Sequence, residues 1–486
     1  MNLVDVFLGT VATQPDHPAI LGPGRDDTWS YQDLAGHIER TAALLRDAGI
    51  GADDTVGLHY PSSREYIVYT YALWRCGASV APIAVELVSE EKEAVCRGIY
   101  LTAVISRTSA PQVFAPFQSG TPVPLGGNVV LIPLKPGRGH PDGFTKVNPA
   151  FLRFSSGTTG ASKGIILSHE TIHDRIQAAN VALQLGPDDR VVWLLSMSYH
   201  FAVSIVAYLT FGATILLCRN HFGSTIVKTT AEHQGTFIYG SPVHYDLMAH
   251  DRSGTLLPGV RLAISTAMYL RDEIAESFYR RFNLPLSEAY GIIEVGLPCI
   301  NHDRPLEKRG SVGRVLPDYE IRIEDAGLGE DLGAIKLKGK GFLDAYYNPW
   351  QPRDDIMADG WFATGDLGYL DADGYLFIQG RSKEIINIGG MKFFPQEVET
   401  VLESHPVIRE ACVFPHKDNR MGEVPYAQVV LQTADAEPTR EDELKDYCAG
   451  LLAPFKIPEK IEFVAELART ASGKLIRQEL KIKRSE

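Results

Sequence analysis

Four stretches of the 486-residue sequence combine residue types that could do chemistry. The densest is Arg153–His169, RFSSGTTGASKGIILSH. Ser155, Ser156, Thr158, Thr159 and Ser162 supply hydroxyls, Gly157 and Gly160 supply backbone freedom, and Lys163 follows with one positive charge. Gly and Ser favour turns over regular structure. A segment of this kind can curl so that N–H groups and hydroxyls converge on one anion while the ammonium adds a point charge. It reads as a phosphate cradle, the plain alternative being a flexible loop. It is not the common P-loop, because Ser162 precedes Lys163 and Gly164 follows it. The second stretch, LSEAYGIIEVGLP, holds Glu288 and Glu294, the latter set among glycines and apolar residues. Glu294 suits a hard cation that bridges phosphates, or is a solvated loop acid. In the third, DGWFATGD, Asp366 follows Thr364–Gly365, where an aspartate is ordinarily a local turn cap. The fourth, RTASGKLIR, presents Lys474 from another loop of glycine and hydroxyls.

The elements that must position these groups follow from hydrophobic periodicity. Gly164–Leu167 predicts a strand at the base of the cradle. Ser30 before Tyr31, Gln32 and Asp33 is an N-cap pattern, and Leu34, Ile38, Ala42 and Leu45 recur at helical spacing. Further helices are expected over Ser63–Cys76 and Glu170–Leu183. Short strands are expected at Val56–Leu58, Val80–Ile83, Ala103–Ile105, Val129–Ile132, Phe237–Ile238 and Val260–Ser265. Strands alternating with helices imply a mostly parallel α/β sheet. Leu286–Pro298 reads as a loop, and a β-rich, Gly-rich section runs from Gly310 to Asp366. Gly380–Glu399 reads as a domain junction. It is followed by a small α+β tail: helix Pro395–Glu403, strands Ala411–Val413 and Tyr426–Leu431, helix Arg440–Leu452 and strand Lys460–Phe463.

Composition narrows the function classes. Hydrophobic residues at 45% and charged residues at 22% are ordinary for a globular protein. A formal net charge of −13 disfavours non-specific nucleic-acid binding. The six cysteines are scattered without a CxxC pair, which disfavours a zinc site or disulfide framework and fits a reducing, cytoplasmic compartment. The start, MNLVDVFLGT, lacks a basic n-region, so no signal peptide is expected. Val191–Cys218 has no Asp, Glu, Lys or Arg, yet Ser196, Ser198, His200, Thr210 and Gly212 interrupt it. A membrane span needs about 20 apolar residues, so a strand Val191–Leu195, a buried helix near Phe201–Thr210 and a strand Thr214–Leu217 are expected instead.

Taken together, in this order and at these separations, the four stretches resemble the motifs of the adenylate-forming enzymes: acyl-CoA synthetases, adenylation domains of peptide synthetases, and luciferases. The resemblance covers nearly the whole chain. It implies a large N-terminal domain over about 1–380, a small C-terminal lid over 384–486, and a hinge near 381–383, with Lys383 at the hinge position. ATP, Mg²⁺ and the thiol of CoA or phosphopantetheine are the implied cofactors and acceptors. Ser155, Ser156, Gly157, Thr158, Thr159, Gly160 and Lys163 match the loop on the β- and γ-phosphates. Tyr290, Gly291 and Glu294 match a Tyr-Gly-x-Thr-Glu motif, implying that Tyr290 stacks on adenine and Glu294 binds Mg²⁺; Ile293 stands where the family has Thr. The backbone of Thr266, Ala267 and Met268 would line the adenosine site. Asp366 would grip the ribose hydroxyls with Arg381 beside it, and Lys474 would bridge the substrate carboxylate and the α-phosphate. Tyr199, His200, Phe201, Ala202, Tyr239, Gly240, Ile292 and Leu297 would line the acyl pocket, although a hydrogen-bonded core histidine accounts for His200 almost as well. Amino-acid-activating relatives carry Phe-Asp-x-Ser where this chain has Phe201–Ala202–Val203–Ser204. Ala202 cannot pair with an ammonium, so the expected substrate is a fatty or aromatic acid and not an α-amino acid. The expected activity is acid–thiol ligation. The sequence ends nine residues after Arg477, so a carrier protein is expected to act in trans. The alternatives are a non-catalytic nucleotide-binding module, a stand-alone amino-acid adenylation enzyme and, more remotely, a luciferase-type oxygenase.

Overall fold

The computed structural model describes residues 1–24, 27–109, 111–135, 137, 139–154, 163–327, 332–432, 440–470 and 475–477. By its contacts the chain divides into two compact units. The first comprises residues 1–320, 338–362 and 372–376; the second comprises 321–337, 363–371 and 377–486.

Two nine-stranded sheets build the first unit among the described residues. In one, the strands Leu286–Ile292, Leu262–Ser265, Phe237–Gly240 and Arg190–Trp193 lie side by side and run parallel. The other is organised around Ser79–Pro82, Thr55–His59 and Ala103–Arg107, also parallel, and carries an antiparallel hairpin of Pro149–Phe154 and Gly164–Ser168 on one side. The alternation of short apolar runs and helices thus yields the expected α/β arrangement. The first sheet is backed by a core of Val192, Ile238, Tyr245, Phe278 and their neighbours, the second by Ile83, Val104, Phe114, Leu152 and theirs.

Local chemistry sets the helices. Tyr31–Asp47 begins with the expected cap: the Ser30 hydroxyl accepts from the Asp33 N–H, and the Asp33 carboxylate accepts from the Ser30 N–H. Such a cap contributes about 1 kcal/mol. Arg64–Arg75, capped by Ser63, buries every residue from Tyr66 to Trp74. That stretch is apolar but for Thr70 and so must be enclosed, while Arg64, Glu65 and Arg75 at the ends stay partly exposed. Trp74 Nε1 donates to the Ala150 carbonyl at 2.7 Å, and Tyr66, Trp74 and Tyr71 surround the ring of Phe201 with centroids 5.7, 6.0 and 6.2 Å away.

The second unit contains most of a four-stranded sheet, ordered Tyr319–Asp325, Gly333–Gly339, Phe362–Leu370, Leu376–Arg381. It also contains a five-stranded sheet around the long hairpin Ile408–Asp418 and Gly422–Leu431. The helices Pro395–Glu403 and Glu441–Ala449 supply Val398, Leu402, Leu444 and Cys448 to its core.

Three expectations need correction. Leu286–Pro298 is not a loop: Leu286–Ile292 and Gly296–Ile300 pair antiparallel across a three-residue turn, 293–295. Its glycines read as loop residues because they serve a bulge and a turn. Asp366 sits inside the strand Phe362–Leu370, not in a turn. Of the helix expected near Phe201–Thr210, only Ile205–Thr210 is α-helical; Phe201–Ser204 is a turn, with one short helix, Met197–His200, before it. No helix among the described residues is long and apolar enough to cross a membrane.

In the strand Leu286–Ile292, Glu288 is a half-buried acid whose Oε1 accepts from the Gly310 N–H at 3.0 Å. Burial, and secondarily the Asp272 charge, push its carboxyl up to about 7 from 4.5, against the pull of that N–H. The folded state therefore holds a proton that the unfolded chain has released between those values, and stability falls as pH rises from about 4.5 to about 7. Glu288→Gln keeps an acceptor for Gly310 and removes the charge. It should raise the unfolding free energy at pH 8 by about 2–3 kcal/mol, seen as a higher melting temperature, and change it little at pH 5. Thermal melts of both proteins across that range check this; a pH-independent gap contradicts it.

Candidate active site

The four parallel strands end on one edge of their sheet, in register. Trp193 pairs with Tyr239 and Tyr239 with Ile264; Gly240 pairs with Ser265 and Ser265 with Glu288. The C-terminal edge of a parallel sheet is where open α/β folds place ligands. The expected site residues of this unit emerge there: Tyr199–Ala202 after the first strand, Tyr239–Gly240 at the end of the second, Thr266–Met268 after the third, and Tyr290–Ile292 at the end of the fourth. The Thr266 N–H donates to the Gly240 carbonyl at 3.0 Å, so the second and third strand ends are tied directly. Ala267 has φ +74°, the left-handed region that side chains avoid. A residue held there at a cost of order 1 kcal/mol marks a backbone constrained by its surroundings.

Around this edge the environments differ. Tyr239 is buried and stacks on Trp193, centroids 6.3 Å apart with planes 11° off parallel. Burial pushes its phenol up to about 12, opposed by a hydrogen bond with Thr266. Tyr290 and Leu297 are buried, and Ile292 pairs with Gly296 across the turn. Gly291 is exposed at the bulge; a Cβ there would lie 2.7 Å from the Gly296 carbonyl oxygen. His200 is half-buried, edge-on to Trp193. Phe201 is fully buried against Tyr66, Tyr71 and Trp74. Its side chain is spent on the core, where the resemblance implied a pocket wall. Ala202 is buried at 2% exposure.

Glu294 sits in the turn between the Tyr290 strand and its partner, and two groups fix it there. Its carbonyl accepts from the Leu343 N–H at 2.7 Å. The carbonyl before it, of Ile293, accepts from Arg175 Nη1 at 3.0 Å. Arg175 also donates Nε and Nη2 to the Gly341 carbonyl, at 3.0 and 2.5 Å. Burial lowers this guanidinium to about 10, with the charges of Tyr319, Asp344 and Glu294 opposing the fall, so it stays charged at neutral pH. Glu294 also acts on Arg153, whose Nη1 donates to the Tyr199 carbonyl and whose Nε is buried without a hydrogen-bond partner among the described residues.

The cradle's base meets the same place. Phe154 pairs with Gly164, so both feet of the loop stand on one hairpin. Ser155, Ser156, Gly157, Thr158, Thr159 and Gly160 lie outside the described residues. Lys163 is described: its Nζ stands 4.5 Å from the centre of the Tyr346 ring, whose phenol is pushed up by burial and then by the Glu294 charge. The Glu294 charge is thus felt by Arg153, by Arg175 and by the tyrosine on which Lys163 stands. Arg175 is occupied by backbone carbonyls, which leaves one ammonium, one guanidinium and a carboxylate: a donor set that fits a magnesium–triphosphate, with a hard carboxylate oxygen for the ion and two cations for the phosphates. Sequence reading gave Arg153 and Arg175 no role. Their signal was there: Arg153 interrupts an apolar strand, and Arg175 falls on the buried face of its helix with Ile172, Ile176 and Ala179.

In the second unit, Asp366 is nearly buried and its Oδ1 lies 3.1 Å from Arg381 Nε on the neighbouring strand. Lys383 is exposed in the one-turn 3₁₀ segment Ser382–Glu384 that follows. Lys474 lies outside the described residues.

The chain matches the AMP-binding enzyme family over residues 7–347 and the AMP-binding enzyme C-terminal domain over residues 397–474. Sulfoacetate–CoA ligase of Cupriavidus necator is 28% identical over 510 residues, covering 96% of this chain and 95% of that protein. The 2-succinylbenzoate–CoA ligase of Bacillus subtilis is 32% identical over 346 residues, 68% of each chain. The solved O-succinylbenzoate coenzyme A synthetase of Bacillus subtilis, in complex with AMP, shares the fold at a TM-score of 0.85 and 24% identity, covering 99% of this chain and 98% of that one. The first match spans the sheet edge, the Glu294 turn and the cradle, and the second lies within the second unit: the chain belongs to the AMP-binding enzyme family, with the adenylate-forming fold.

Proposed function

We propose that the protein uses ATP to convert a carboxylic acid to its acyl adenylate, releasing pyrophosphate, and then transfers the acyl group to the thiol of CoA. The observation that carries this reading is the common edge of four parallel strands, from which Thr266–Met268, Tyr290, Tyr239, Gly240 and Ala202 all emerge; in this reading the first two serve the adenosine and the last three the acyl group. The family membership and the ligase relatives support it. CoA and a carrier protein's phosphopantetheine arm present the same thiol; the relatives' names favour CoA.

The chemistry requires bringing two anions together. The acid's carboxylate attacks the α-phosphorus of ATP, and the bond to pyrophosphate breaks. Bound Mg²⁺ would supply charge neutralisation on the phosphates, held by Glu294. Arg153 and Lys163 add positive charge around the phosphates, and Arg175 keeps the Glu294 turn in place. Lys474 neutralises charge where carboxylate and α-phosphate meet; loss of one such group costs about 10²–10³ in rate. Asp366 orients the ribose and Arg381 orients Asp366. In the second step the thiol attacks the acyl carbon and AMP leaves. A pivot at Arg381–Lys383, between a body of 1–380 and a lid of 384–486, lets one site serve both steps.

The acyl side is apolar and aromatic through Trp193 and Tyr239, and its Phe-Asp-x-Ser position is a buried alanine. An ammonium there loses hydration without a counter-charge. The substrate class is therefore a fatty or aromatic acid.

Three outcomes are expected. Wild-type protein should release pyrophosphate with fatty or aromatic acids and respond little to free α-amino acids; Ala202→Asp should weaken the simple acids by roughly 30-fold or more, since it buries a lone carboxylate. A wild-type preference for an amino acid overturns the pocket assignment. Lys474→Ala should abolish adenylate formation yet spare thioester formation from a supplied acyl adenylate; equal loss of both half-reactions removes the two-position scheme. Glu294→Gln should raise the Mg²⁺ concentration needed for half-maximal activity, because a neutral amide is a weaker ligand for a hard cation. An unchanged requirement places the ion elsewhere.

A further inference from the structure

Lys474 lies in a stretch flanked in sequence by two feet that the structure describes, one ending at Thr470 and the other beginning at Leu475. On one foot, Arg469 Nη2 donates to Glu410 Oε2 at 2.7 Å. The feet are joined by an antiparallel bridge between Arg469 and Leu475 and by the Ile476 N–H donating to the Ala468 carbonyl at 2.9 Å. Leu475 packs on a small apolar cluster of Cys412, Phe414, Val430 and Leu467. On the other foot stands Arg477, whose guanidinium is largely buried, its side chain 13% exposed.

Arg477 faces two carboxylates from different parts of the second unit. Nη2 donates to Glu399 Oε2 at 2.9 Å, on the helix Pro395–Glu403. Nε stands 3.5 Å from Glu384 Oε2 and makes no hydrogen bond among the described residues. Glu384 directly follows Lys383 in the 3₁₀ segment Ser382–Glu384. Glu399 is anchored in turn: its Oε1 accepts from the Val413 N–H at 2.8 Å. Burial pushes Glu399 up to about 7, with the Glu403 and Glu384 charges adding to the rise while Arg477 and the Val413 N–H oppose it. A buried acid with so little to stabilise its charge relies on Arg477. Neither Glu384, Glu399 nor Arg477 has another role in the proposed chemistry.

We infer that Arg477 is a positioning residue which locks the foot of the Lys474 segment to Glu384, at the start of the lid, and to Glu399, so that rotation at Lys383 is delivered to Lys474 without slack. The inference rests on the proposed role of Lys474 in adenylation. A displacement of about 1 Å in a catalytic group costs on the order of 10²-fold in rate. The lysine is needed in one half-reaction only, so the loss falls on that half.

The test is Arg477→Met in the full-length protein, assayed separately for acid-dependent pyrophosphate release and for thioester formation from supplied acyl adenylate. Adenylation kcat should fall about 10²-fold with KM for ATP little changed, while thioester formation stays within a few-fold of wild type. Arg477→Lys should recover part of the loss, since it restores one charge but not the fork. Equal loss in both half-reactions, or none in either, overturns the inference. If Arg477→Met does not fold, Glu384→Gln, which changes a partly exposed partner, should lower adenylation alone, by a smaller factor; unchanged adenylation in that variant overturns the inference equally. Lys474→Ala separates the two layers. Retained adenylation there removes the lysine's role itself, whereas its loss there together with unchanged activity in Arg477→Met removes only the lock.

Discussion

A guanidinium withdrawn from water is tolerated only where its N–H groups find acceptors. Arg175, 1% exposed, meets that condition with backbone alone, through the carbonyls of Ile293 and Gly341. Those two carbonyls belong to segments that would otherwise have little reason to lie together. Gly341 has φ +70°, and a Cβ on it would stand 2.7 Å from the Cβ of Arg175, so no other residue allows the approach. Two residues on, the Leu343 N–H closes the arrangement on the Glu294 carbonyl. The placement of the expected magnesium ligand is thus a by-product of satisfying one buried cation on a helix.

Backbone carbonyls carry no sequence signature, which is why this could not be read in advance. Elements set by local rules were legible: the Ser30 cap, the Gly164–Ser168 strand, the Pro395–Glu403 helix and the Lys460–Phe463 strand all form where periodicity and capping place them. The segment Leu286–Pro298 was misread because its glycines looked like loop residues, whereas a bulge at Gly291 and a turn before Gly296 use them inside a hairpin. Asp366 was misread for a related reason, since Thr364–Gly365 looks like a turn until a neighbouring strand claims it.

The candidate site was legible unevenly. Residue types exposed the cradle, Glu294 and Lys474 as stretches worth attention, but the roles came from the resemblance, since a lone loop acid or surface lysine has a dozen ordinary explanations. The resemblance in turn could not show that Phe201 turns into the core, because that depends on three aromatic side chains of a helix more than a hundred residues earlier. Nor could it give Arg153 and Arg175 a place beside Glu294. Charges on apolar faces were the available clue, and they point to burial without saying against what.

The helix Arg64–Arg75 has one more implication. It is bonded through Trp74 to the Ala150 carbonyl of the strand Pro149–Phe154, and its aromatic rings pack on Phe201, which follows the strand Arg190–Trp193 of the other sheet. Loosening the packing on either side of that helix uncovers its buried stretch Tyr66–Trp74, which is apolar but for Thr70. The two sheets therefore form a single cooperative foldon. Backbone amides in both should exchange with solvent only through the same global opening.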